Sequence, residues 1–271
     1  MPRLFQGARQ DWRYTLKSIA LGLLFWAIQL LYQFYVLIPG EIKGSIVRGS
    51  ALAGATLIGI ALLIGPLARL FPRRNYVRHR RTFGVLGFTF IIIHTMAVIA
   101  FLFNFDIGGL VFERNPYANP IIFGLLAFYI YIPLYLTSTD WATRKLGFRK
   151  WKAIHRLVYI AWILSVLHFV QINPKLLFNP AGYLLLIVTA LVFIFEITAF
   201  IWHVKAKGGP GKYIGALIII FGGILFYLAY AIKMSIIVLW GIPVVFIGAI
   251  VLYAFASLTR KQRLYSRDRN E

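Results

Sequence analysis

Apolar residues in this chain fall in long unbroken runs, not at the three-to-four spacing of a half-buried helix or the alternation of a strand. About 20 consecutive apolar residues are needed to cross ~30 Å of hydrocarbon as a helix. Eight stretches have that length and character: roughly 15–38, 50–71, 82–104, 120–138, 152–171, 181–203, 213–232 and 234–258. The pattern predicts an all-α polytopic membrane bundle of about eight transmembrane helices, with little chain left for a soluble domain. The last two stretches contain no histidine and no acidic residue and read as scaffold. Two regions are expected: 1–203, a membrane core that holds the chemistry, and 204–271, two further helices and a basic tail.

Charge gives the bundle an orientation. The net charge is +21 although only 14% of residues are charged and 60% are hydrophobic. The positive residues cluster in alternate loops, and the intervening loops hold few. Arg3, Arg9, Arg13 and Lys17 precede the first span; Arg69, Arg73, Arg74, Arg78, Arg80 and Arg81 separate the second from the third; Arg144, Lys145, Arg149, Lys150, Lys152 and Arg156 separate the fourth from the fifth. Lys205, Lys207 and Lys212 follow the sixth, and Arg260, Lys261, Arg263, Arg267 and Arg269 follow the last. By the positive-inside rule these loops and both termini are cytoplasmic, as an even number of spans requires. The basic charge therefore belongs to topology beside membrane lipid, and no nucleic-acid partner is expected. The basic N-terminus leads into an apolar segment too long for a secretory signal and reads as a retained first span. With no cysteine, thiolate metal sites, iron–sulfur clusters and covalent c-type haem are excluded. Gly208-Gly209-Pro210-Gly211-Lys212 lacks the spacing of a phosphate loop and reads as an inter-helix turn. The outward loop at about 105–120, with Asp106, Gly108, Gly109, Glu113, Arg114, Asn115 and Pro116, is a plain connection or a docking point for a partner.

Ionisable groups are costly in hydrocarbon, so the few inside the spans are candidates for chemistry. His94 lies mid-way along the third span, and His155 and His168 lie on the fifth. At ~1.5 Å per residue from the cytoplasmic side, His94 is ~18 Å deep, His168 ~24 Å and His155 only ~4–5 Å. His94 and His168 are therefore matched in depth and predicted to hold one b-type haem, towards the outer leaflet. Two neutral imidazoles give a six-coordinate iron that changes oxidation state with little rearrangement. A bare zinc or copper site fits less well, because no carboxylate is near either histidine in sequence. The other reading of the pair is a hydrogen bond between helices. His155 is thirteen residues from His168, ~20 Å along a helix, and cannot share its iron. It is either a ligand of a second, cytoplasmic-side haem, with His79 or Arg80 opposite, or an interfacial histidine among basic residues. Arginine stays protonated, so Arg80, Arg81 and Arg156 read as partners for haem propionates. His203 reads as a helix C-terminal residue. Glu196 is the one acid well inside a span; it relays a proton, binds a quinone or pairs with a cation.

The stretch Arg80-Arg81-Thr82-Phe83-Gly84-Val85-Leu86-Gly87 leading to His94 resembles the ferric-reductase-like transmembrane family. So do Leu134 through Trp141, Lys145 through Trp151, and Ile154-His155-Arg156-Leu157-Val158-Tyr159 leading to His168. Within that family the likeness is greatest to the haem-binding membrane subunit of bacterial protein-methionine-sulfoxide reductase systems. It covers roughly residues 15–203, and the last two spans exceed the family's six-helix core. The resemblance implies that His94, His155 and His168 match the family's haem histidines and that electrons move outward. It also implies flavin mononucleotide (FMN) on the cytoplasmic side and a periplasmic molybdopterin reductase as acceptor. Two-haem relatives have a further histidine about fourteen residues before the one matching His94; here that place is Arg80, beside His79.

The expectation is a multi-pass subunit of the bacterial inner membrane that conducts electrons through haem b. No nicotinamide-binding fingerprint is present, so a cytoplasmic flavin reductase or the quinone pool would feed it. One rival is a self-contained ferric or oxygen reductase on the same haem. The other, from a different class, is a transporter or scaffold without a redox centre, in which the histidines and Glu196 line a path.

Overall fold

A computed structural model describes residues 12–71, 76–108, 120–172 and 179–205. The predicted seventh and eighth spans, the glycine-rich turn at 208–212, the basic C-terminal tail and residues 109–119 of the outward loop lie outside the described residues. The chain divides into two compact units, 1–196 and 197–271. Among the described residues every regular element is a helix.

The first, α1 (Trp12–Tyr32), runs on into a π-helical turn, Gln33–Leu37. Then follow α2 (Ile42–Leu70), α3 (His79–Phe101), α4 (Ile121–Leu136), α5 (Asp140–Leu146), α6 (Phe148–His155), α7 (Val158–Ile172) and α8 (Pro180–Lys205). Four segments are long and apolar enough to cross a membrane: Trp12–Leu37, Ile42–Leu70, His79–Phe101 and Phe148–Ile172. The pair α4 and α5, bent by 89°, makes a fifth if it counts as one span, and Pro180–Glu196 is a shorter apolar helix. The described residues thus form a helical bundle with four to five segments able to span a membrane.

Lipid tails are as apolar as leucine, so helices in a membrane associate through close van der Waals fit and hydrogen bonds. The small residues of α2 supply that fit. It packs on α1, α3 and α7 and is the most deeply buried helix. At Gly54 an added Cβ would stand 2.7 Å from the Gly87 carbonyl oxygen of α3, and at Gly87 one would stand 2.9 Å from the Gly54 carbonyl. Backbone meets backbone here, and only glycine on both sides permits it. Further along, Gly59 leaves room for Trp162 of α7, whose indole N–H donates to the Ala55 carbonyl at 3.0 Å. Trp26 of α1 donates to Ser50 Oγ at 3.0 Å and stacks on Phe90 of α3, joining three helices.

The bend between α4 and α5 follows from local chemistry. Pro133 lacks an N–H, and Thr137 stops the helix by turning its hydroxyl back to the Pro133 carbonyl at 2.6 Å. Thr139 then caps α5, accepting from the Ala142 N–H at 3.1 Å, and Gly147 at φ +76° makes the turn into α6. Arg81, near the start of α3, clamps this corner: its Nε donates to the Ser138 carbonyl at 2.7 Å and its guanidinium meets Asp140 at 2.6 Å.

Candidate functional site: a pair of facing imidazoles

His94 stands on α3 and His168 near the end of α7, and the packing of both against their neighbours brings the two rings together. Their centroids are 6.3 Å apart and their planes are inclined at 63°. Each Nδ1 lies 2.8 Å from a backbone carbonyl: Val47 of α2 for His94, and Pro120, just before α4, for His168. A carbonyl oxygen only accepts, so Nδ1 carries the proton in both rings. In a neutral imidazole the lone pair is then on Nε2, the nitrogen with no hydrogen bond among the described residues in either ring. A carbonyl accepting from Nδ1 in this way fixes the ring's orientation and raises the basicity of Nε2.

The spacing suits a metal between the rings. Two imidazoles bound through Nε2 on opposite sides of one ion, each at about 2 Å, hold their centroids about 6 Å apart. A direct hydrogen bond between the histidines would need a proton on one Nε2, and both protons are already placed on Nδ1. Among the described residues no three histidine or acidic side chains cluster as a metal site. Two facing imidazoles without a neighbouring carboxylate among the described residues fit haem better than bare zinc or copper.

The other candidates lie apart from this pair. The ring of His155 stacks on Trp151 at 4.1 Å, and its Nε2 lies 3.1 Å from Thr137 Oγ1, whose residue also accepts the Trp151 indole N–H at its carbonyl. No second imidazole is in ring contact with it among the described residues. His79 turns instead towards α1, with Nδ1 2.5 Å from Ser18 Oγ and Tyr14 edge-on. The guanidinium of Arg80 lies over Gly65 of α2. Arg81 is held by Ser138 and Asp140, and Arg156 is exposed at the turn between α6 and α7. Glu196 is paired: Arg69 meets one carboxylate oxygen at 2.5 Å and the Tyr159 hydroxyl donates to the other at 2.5 Å. The side chain of His203 lies outside the described ones.

Sequence reasoning missed the carbonyls of Val47 and Pro120, because a main-chain acceptor leaves no mark in a sequence. It also missed Arg69 as the partner of Glu196, since the two are 127 residues apart.

The described residues thus form a bundle of membrane-length helices in which two histidines, each held in one tautomer by a carbonyl, face one another. Residues 50–166 match the family model described as ferric reductase like transmembrane component, and over this stretch the chain is similar to that family. His94 and His155 fall inside the match and His168 lies just beyond it. The chain is 33% identical over 134 residues to the protein-methionine-sulfoxide reductase heme-binding subunit MsrQ of Agrobacterium fabrum, a stretch covering 49% of this chain and 60% of that one. It is 30% identical over 116 residues to the magnetosome protein MamZ of Magnetospirillum gryphiswaldense, covering 42% of this chain and 18% of that one. The aligned stretches thus span about three-fifths of the first relative and under a fifth of the second.

Proposed function

We propose that this chain is a haem b-binding electron-transfer subunit of the bacterial inner membrane, in which His94 and His168 are the residues that would hold the haem. The observation that carries the reading is the pair of rings at 6.3 Å with both Nδ1 atoms engaged by carbonyls and both Nε2 atoms left to ligate. The likeness to a haem-binding subunit supports it. Bound there, haem would supply a one-electron redox centre. The protein's own part is to hold two imidazoles in one tautomer and one orientation.

Electrons enter from the basic cytoplasmic face, from a flavin such as FMN or a quinol, and leave towards an acceptor on the outer side. The acceptor that fits the likeness is a periplasmic molybdopterin methionine-sulfoxide reductase. Arg80 and Arg156, both exposed, are the guanidiniums open to an anionic donor or a propionate; Arg81 acts as a clamp on α5. We assign one haem: His155, held by Trp151 and Thr137, has no facing imidazole among the described residues.

The test is the reduced-minus-oxidised absorption spectrum of the detergent-purified protein beside His94→Ala, His168→Ala and His155→Ala. Sharp low-spin b-type bands are expected in the wild type and in His155→Ala, and neither of the other variants should show them. A folded but colourless wild type would overturn the reading and leave a transporter or scaffold. Haem with autonomous iron reduction or superoxide formation would make it a self-contained reductase.

A further inference from the structure

The two histidines are not seated alike. The ring of His168 lies directly on the first turn of α4, on the face where Gly124 has no side chain. A Cβ added at Gly124 would stand 2.9 Å from His168 Nδ1, 3.0 Å from Cε1 and 3.1 Å from Cγ. Three of the five ring atoms would be well inside the ~3.5–4.0 Å of ordinary carbon contact. They belong to one stiff ring, so the whole imidazole would have to move.

The carbonyl that holds His168 explains the placement. Pro120 is the cap residue before α4, and its carbonyl accepts the Nδ1–H at 2.8 Å. In a regular helix the cap carbonyl also accepts the N–H of the residue four further on, which here is Gly124. To reach Pro120 the imidazole therefore lies across Gly124, and a side chain at 124 would stand where the ring lies.

We propose that Gly124 is a positioning residue for the His168 imidazole: by lacking a Cβ it sets the ring's plane and the strength of its Nδ1–H bond to Pro120. This rests on the haem-ligand reading above for its consequence. A strong Nδ1–H bond raises the basicity of the ligating nitrogen and favours the ferric state. Weakening it raises the reduction potential, and turning the ring changes the ligand field at the iron.

The experiment uses the purified full-length chain with its haem, as wild type, Gly124→Ala and Gly84→Ala. Gly84 is the control, since a Cβ there meets only Ala61 Cβ at 3.9 Å. Gly124→Ala is expected to shift the highest g value of the ferric electron paramagnetic resonance spectrum and to raise the midpoint potential, while Gly84→Ala leaves both unchanged. Unaltered g values and potential in Gly124→Ala would overturn the proposal. A double-mutant cycle in the haem-free protein gives a second, independent reading. If the clash is with the ring, the loss of melting temperature caused by Gly124→Ala disappears in the His168→Ala background. If Gly124→Ala does not fold, the double variant should recover the yield of His168→Ala alone; a loss that persists there assigns Gly124 to helix packing and overturns the proposal. A wild type that binds no haem would sink the ligand reading, while the cycle still decides the seating of the ring.

Discussion

Glu196 shows how one buried charge is satisfied in a setting that penalises it. Its two oxygens are divided between Arg69 of α2 and Tyr159 of α7, so the carboxylate joins three helices. The two charged partners are unequally exposed, 53% for the Arg69 side chain and 24% for Glu196, and this makes the consequences of removing them unequal. Arg69→Leu leaves a largely enclosed carboxylate without its counter-charge and is expected to lower stability by about 2 kcal/mol. Glu196→Gln leaves a guanidinium that already reaches solvent and keeps an acceptor for Tyr159, for a loss of under about 1 kcal/mol. Thermal unfolding in one detergent measures both, and equal losses would count against this account. The same reasoning at His94 and His168 explains why main-chain carbonyls serve as partners: they fix the tautomer without adding a charge to the site.

At the scale of the elements, the distance between α2 and α3 is set by Gly54 and Gly87. Each would place a new Cβ within 2.9 Å of the other's carbonyl oxygen, and backbone cannot yield as a flexible side chain does. Gly54→Ala is therefore expected to destabilise by about 1–3 kcal/mol through overpacking. Gly84→Ala, on an open face of α3, should gain about 0.5–1 kcal/mol from helix propensity. Opposite signs for two glycine-to-alanine changes in one bundle are the result to look for in the melting temperatures. Because Val47 on α2 holds His94 on α3, Gly54→Ala should also lower haem content, although it is seven residues from Val47 on the same helix. Unchanged haem content would mean that the carbonyl contact survives a shift of the helices.

For the whole molecule, orientation can be tested directly because the chain has no native cysteine to remove. Asp106→Cys, in the turn after α3, is expected to react with a membrane-impermeant maleimide in intact spheroplasts. Arg149→Cys, on exposed α6, should react only after lysis. The reverse pattern would invert the proposed direction of electron flow. By itself the sequence determined the helical membrane class and the depth match of His94 with His168, because both follow from run length and rise per residue, which are local properties; of its first six stretches, four to five are long and apolar enough to span as folded. It left open how His155, Glu196 and the arginines are engaged, since those partners lie on other helices. Tertiary packing alone decided that His79 faces Ser18, that Arg81 clamps Asp140, that Glu196 belongs to Arg69, and that both imidazoles hang from carbonyls with one resting on Gly124. Such contacts depend on which helix faces lie together, and a run of apolar residues has no distinguishable face to predict them from.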